Sequence, residues 1–306
     1  MKIARIAIVL LALFIPYPVC AQRDPPTSSV NLQSKLLGRT VTYQILIPIQ
    51  YQYEDKAKKL FPVVYLLHGV SGHSNNWLQK TSIAMYANPL DVFVVMVEGG
   101  DGWYTDSATV PEDKFESYIL QELIPDVESR YRVQKSRAGR AIAGLSMGGY
   151  GAIKFGLKYP DKFVFAGSMS GAFGAASWNE KELQPGVIRD SVLKVFGPAD
   201  SATRRSNDIF KLVREWPADK VALLPYLYFD SGTEDRFFKE NRDLAYLLTE
   251  KKIPHEYREL PGNHSWTYWN QQLDEILRIA ARKLDSPVSW EKSGGKPAFL
   301  TAGREH

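Results

Sequence analysis

The 306-residue chain has a single cysteine, Cys20, and it lies in an N-terminal leader. Residues 1–21 combine Lys2 and Arg5, an apolar run from Ile6 to Ile15, helix-breaking Pro16 and Pro18, and the small-residue pattern Val19-Cys20-Ala21. That is the layout of a secretory signal peptide, with cleavage expected after Ala21. The mature chain would then carry no thiol, which excludes disulfides, thiolate metal sites and cysteine nucleophiles. Tyr17-Pro18-Val19 makes a poor lipoprotein box, so a lipid anchor on Cys20 is the minor alternative.

Long apolar runs are also missing. The Ile6–Ile15 stretch is about half of what a membrane-spanning helix needs. Charge of one sign is scarce too: the formal net charge is +4, and Lys2 and Arg5 leave with the leader. The remainder argues for neither a nucleic acid nor an anionic membrane as partner. No internal repeat is visible. With 44% hydrophobic and 24% charged residues, the chain has the balance of a globular protein with a substantial core.

What is present is alternation. After a polar lead-in at residues 22–29, TVTYQILIP (40–48) alternates like a half-buried antiparallel strand. Residues 61–69, 91–100, 140–146, 163–171 and 224–232 are near-continuous apolar runs, the pattern of strands buried on both faces of a parallel sheet. Helical patterns at 112–130, 149–159, 237–252 and 266–284 separate them. The reading is one α/β domain over residues 22–285, with an irregular excursion at 172–220 and an aperiodic, disordered tail at 286–306.

Chemistry concentrates at Gly144-Leu145-Ser146-Met147-Gly148, a G-x-S-x-G between a buried-type strand and a small-residue helix. A strand–serine–helix junction is a nucleophile elbow, where glycines admit the sharp turn. A serine needs a base. Of the five histidines, only His255, His264 and His306 follow Ser146, and only His264 sits in a turn between the last strand and the last helix. His68 ends an earlier strand and His73 follows it; His306 is terminal. The acid is expected between Ser146 and His264, after the strand YLYFDSG, where Asp230, Glu234 and Asp235 are the candidates. Asp235 is favoured because Gly232-Thr233 turns the chain to present it beyond the strand end. The backbone N–H of Met147, and that of Val70 in the loop after LLHG, are the expected oxyanion donors. Trp77, Trp103, Tyr104 and Trp266 are expected to line a substrate cleft; no cofactor or metal is called for.

The segments LLHG with Trp77 downstream, VMVEGGDGWYTD, YILQELIPDVESRY, AIAGLSMGGYGA, KYPDKF, FDSGTEDRF and GNHSWTYW run in order from about residue 40 to 270. Together they resemble the esterase D-like branch of the α/β-hydrolases, which includes S-formylglutathione hydrolases, bacterial feruloyl and acetyl esterases, and mycobacterial mycolyltransferases. The resemblance implies an α/β-hydrolase fold, a mostly parallel twisted sheet of about eight strands with helices on both faces. It implies Asp235 as the acid at the end of G-T-x-D, His264 as the base, and the amides of Val70 and Met147 as the oxyanion hole. The LLHG signature departs from mycolyltransferases, and a cysteine-free exported chain departs from the glutathione-type enzymes. The expectation is therefore an exported serine ester hydrolase acting on small or carbohydrate-linked esters, acetyl or feruloyl. Acyl transfer to a sugar or lipid alcohol is the first alternative, and an inactive esterase-like binding module the remote one.

Overall fold

Strands buried on both faces need helices on both sides, and the computed structural model supplies them. It describes residues 25–53, 59–179 and 181–285; the leader, Cys20 and the tail lie outside these. Eight strands form one sheet: β1 (Thr27–Ser34), β2 (Arg39–Leu46), β3 (Val63–Leu67), β4 (Phe93–Val97), β5 (Arg140–Leu145), β6 (Phe165–Met169), β7 (Tyr226–Gly232) and β8 (His255–Leu260). Their spatial order is β1-β2-β4-β3-β5-β6-β7-β8. The β1–β2 and β2–β4 pairs are antiparallel, and every pair from β4 to β8 is parallel.

The ten α-helices of the described residues fill the connections. They are α1 (Asn76–Lys80), α2 (Ile83–Ala87), α3 (Phe115–Tyr118), α4 (Ile124–Arg130), α5 (Met147–Lys158), α6 (Val187–Phe196), α7 (Ala202–Asn207), α8 (Ile209–Arg214), α9 (Phe238–Glu250) and α10 (Trp266–Asp285). The period of two along each strand sorts the core into two layers. Tyr65, Val95, Ile142 and Phe229 share one layer with Ile153 of α5 and Leu244 of α9. Leu66, Met96, Ala143 and Tyr228 share the other with Leu273, Ile276 and Leu277 of α10.

Three expectations need correction. Thr27–Ser29, read as part of the polar lead-in, already belong to β1, an edge strand that pairs along its length with β2 while exposing much of its surface. The single helix expected over 112–130 is divided into α3, one π-turn at Ile119–Leu123 and α4. Pro125 lacks an N–H and its ring crowds the carbonyl four residues back, and a wider turn relieves that clash. Residues 172–220 are not irregular: they carry α6, α7 and α8, with Ser201 and Asp208 capping α7 and α8 through their side chains.

A buried charge cluster ties α5 to α3. Lys154, fully buried, donates to Glu116 at 2.6 Å, to the Thr105 hydroxyl at 2.7 Å and to the Tyr104 carbonyl at 2.5 Å. Burial raises the Glu116 pKa, but Lys154 and Lys158 outweigh it and bring it down to about 2. Removing one partner of such a pair strands the other charge in a medium that solvates it poorly. Glu116→Ala should therefore lower stability by about 3–5 kcal/mol in urea unfolding, whereas a change within 0.5 kcal/mol would show that the cluster is solvated.

Candidate active site

The carboxyl ends of parallel strands are where α/β sheets build their sites. Ser146 stands directly beyond β5 with φ 54° and ψ −117°, a left-handed conformation rare for a residue with a side chain. The turn is tight enough that a Cβ at Gly148 would lie 2.0 Å from the Leu67 carbonyl oxygen, and one at Gly144 2.5 Å from the Gly148 backbone. Both positions must be glycine for the serine to be presented this way. The strained elbow places Ser146 just before the first turn of α5, where backbone N–H groups have no partner within the helix.

His264, in the loop between β8 and α10, reaches Ser146 Oγ with Nε2 at 2.9 Å. Its Nδ1 lies 2.9 Å and 3.1 Å from the two carboxylate oxygens of Asp235, just beyond β7. Since an ionised carboxylate can only accept, the proton sits on Nδ1 and Nε2 is left to accept from the serine hydroxyl. Phe237 and Trp269 pack edge-on against the imidazole at 5.0 Å and 4.9 Å, fixing its plane. Burial raises the Asp235 pKa, but the hydrogen bond to His264, its charge and the Phe237 N–H together hold it below the ordinary aspartate value.

The rival acids are placed elsewhere. Glu234 is exposed. Asp230 is fully buried within β7, accepting from the Tyr268 hydroxyl at 2.7 Å. Burial pushes its pKa up to about 7, against the pull of the Tyr268 hydrogen bond. The folded chain therefore holds a proton on Asp230 that the unfolded chain releases near pH 4. The stability tied to that proton is complete below pH 4 and is lost as pH rises through 7. Asp230→Asn should keep most of the activity. Its Tm relative to the parent should rise between pH 5 and pH 8 by about 5 °C; a pH-independent difference would place the charge of Asp230 elsewhere.

Ser146 and His264 open into a cleft of about 520 Å³, whose walls include Gly69, Val70, Trp103 and Trp266. Trp77 and Tyr104, expected in the cleft, are fully buried and stand behind it. Trp77 packs edge-on against Trp266 at 5.8 Å, so it supports the wall and does not form it. The lining also includes Trp178, Val187 and Ile188 of α6, and Phe237 and Arg236 beside Asp235, none of them among the residues expected to line the cleft. Trp178 stacks on Phe237 at 5.5 Å and donates to Glu240 at 2.6 Å. Phe237 was open to inference as a neighbour of Asp235, whereas Val187 and Ile188 carry no local signal. Among the described residues no group of His, Cys, Asp or Glu side chains is arranged to hold a metal ion.

Such a chain of groups can move a proton from a serine hydroxyl to an imidazole while a carboxylate fixes the ring's tautomer. Comparison with known proteins fits this chemistry. The chain is 29% identical to an acetyl esterase of Caldicellulosiruptor saccharolyticus, over 84% of this chain and 98% of that one. It is 26% identical to the diacylglycerol acyltransferase/mycolyltransferase Ag85B of Mycobacterium leprae, over 82% of each. Its fold matches the substrate-bound fluorophosphonate-binding serine hydrolase F of Staphylococcus aureus with a TM-score of 0.74 and 27% identity, covering 85% of this chain and 99% of that one. With its α/β-hydrolase fold and an Esterase family model matching residues 34–280, the chain belongs to the Esterase family.

Proposed function

We propose that the protein is an exported serine carboxylesterase that works through an acyl-enzyme. The observation that carries this reading is the hydrogen-bonded path from Ser146 Oγ through His264 to Asp235, open to the cleft. Ser146 attacks the ester carbonyl while His264 takes its proton. The negative charge that develops on the carbonyl oxygen meets the N–H groups of Met147 and Val70. His264 returns the proton to the departing alcohol, and water, activated by the same imidazole, releases the acid.

The cleft volume suits a short acyl chain with a sugar or aryl alcohol against its tryptophans. The similarity to an acetyl esterase favours acetate as the acyl group. Export rests on the leader's sequence; among the described residues no helix is long and apolar enough to cross a membrane.

An ester series from p-nitrophenyl acetate to laurate, with methyl ferulate, should give the highest kcat/KM at the short end. Free acid should be the product whether or not trehalose or another sugar acceptor is added. Acylated sugar as the main product would move the protein to acyl transfer, the chemistry named for its mycobacterial relative. Turnover of none of these esters would count against the esterase reading itself.

A further inference from the structure

His68 is fully buried directly after β3, and the proposed mechanism gives it no role. Its ring nonetheless has a defined duty. The backbone N–H of Gly99 donates to Nε2 at 3.0 Å, and a Glu98 carboxylate oxygen lies 3.4 Å from the same nitrogen. The other nitrogen, Nδ1, faces a carbonyl, which can only accept, so Nδ1 carries a proton. From there it donates to the carbonyl of Gly69 at 2.8 Å. The Gly72 N–H donates to the same oxygen at 3.0 Å.

A trans peptide is planar, so its C=O and the following N–H point in opposite directions. Fixing the Gly69 carbonyl therefore fixes the aim of the Val70 N–H. That peptide borders the nucleophile: a Cβ at Gly69 would lie 3.7 Å from Ser146 Oγ.

The anchoring continues inward. The Tyr104 hydroxyl donates to the His68 carbonyl at 2.9 Å, and its ring meets the imidazole edge-on at 5.9 Å. Trp103 and Tyr104 are both left-handed, with φ of 49° and 52°, a conformation that needs outside support. Lys154 gives it by binding the Tyr104 carbonyl and the Thr105 hydroxyl, while Thr105 Oγ1 also donates to the Trp103 carbonyl at 2.9 Å. Lys154 belongs to α5, the helix whose first residue is Met147.

We propose that Lys154, Tyr104 and His68 are positioning residues for the oxyanion hole: a buried path that refers the Val70 amide to the helix supplying the Met147 amide. The two donors stand just beyond β3 and β5, which are paired neighbours in the sheet, and this path adds a side-chain link between them. None of the three touches substrate. The inference rests on the proposed esterase mechanism and adds to it which groups make the oxyanion hole rigid.

The test is Tyr104→Phe, which removes one hydroxyl and keeps the ring. On p-nitrophenyl acetate kcat should fall about tenfold with KM within twofold, because an oxyanion contact acts in the transition state. Affinity for a trifluoromethyl ketone, whose serine adduct carries an oxyanion, should fall by the same factor as kcat/KM. His68→Ala should lose about a hundredfold, and His68→Asn, whose amide can donate near the Nδ1 position, should recover part of it. A lower Tm with unchanged kcat, or a raised KM with unchanged ketone affinity, would reduce these residues to ordinary packing and overturn the proposal. A parent protein that turns over no ester would instead defeat the esterase reading, so the two failures are distinguishable.

Discussion

Replacing Ser146 with alanine should lower kcat/KM on p-nitrophenyl acetate by a factor of about 10⁴ or more, with Tm nearly unchanged. The size follows from what is lost. Under the proposed mechanism no acyl-enzyme forms without Oγ, and the residual rate is water attack helped only by the Met147 and Val70 amides. Stability should hold because the side chain makes one polar contact, to His264, and alanine tolerates the elbow about as well as serine does. The backbone strain at φ 54° is already balanced by the surrounding packing and remains in the variant. Loss of less than tenfold would mean that another group supplies the nucleophile.

The second large effect belongs to Asp235. Asp235→Asn keeps the shape but offers an amide where His264 Nδ1–H needs an acceptor. The imidazole can then adopt the other tautomer, with its proton on Nε2 facing Ser146, and it ceases to be a base. A fall in kcat of about 10⁴ is expected, with KM little changed. Asp230→Asn, five residues earlier on the same strand and loop, should stay within about threefold of the parent, because Asp230 bonds Tyr268 and not His264. Kinetics of the two variants side by side checks the assignment. If Asp230→Asn were the more damaging of the two, the acid would have been misplaced.

That contrast marks how far the sequence alone reaches. Ser146, His264 and Asp235 were legible because each sits where a strand gives way to a turn, and local residues announce the turn: Gly144 and Gly148, Gly262-Asn263, Gly232-Thr233. The choice of Asp235 over Asp230 rested on which residue lies beyond the strand end, and the structure keeps Asp230 within β7. The parallel strands were legible for the same reason, since burial on both faces leaves a continuous apolar run.

What stayed hidden depends on contacts between distant segments. Tyr104 has the composition of a cleft residue, yet its hydroxyl meets the backbone of His68, 36 positions away. Lys154 looks like a solvated helix lysine until Glu116, 38 positions away, is seen beside it. The helices between 187 and 214 were obscured by glycines, prolines and charges at their ends, which serve there as caps and stops. The cleft residues they carry, Val187 and Ile188, are ordinary apolar sequence that acquires meaning only in the cleft they share with Ser146.

The most direct measurement of the central claim is mapping a fluorophosphonate adduct on the intact protein. Trypsin should release AIAGLSMGGYGAIK, residues 141–154, bounded by Arg140 and Lys154 and holding one serine. The mass of the probe should appear on this peptide, on Ser146, and heat-denatured protein and Ser146→Ala should both remain unlabelled. An adduct on any other residue, or labelling that persists in Ser146→Ala, would contradict it.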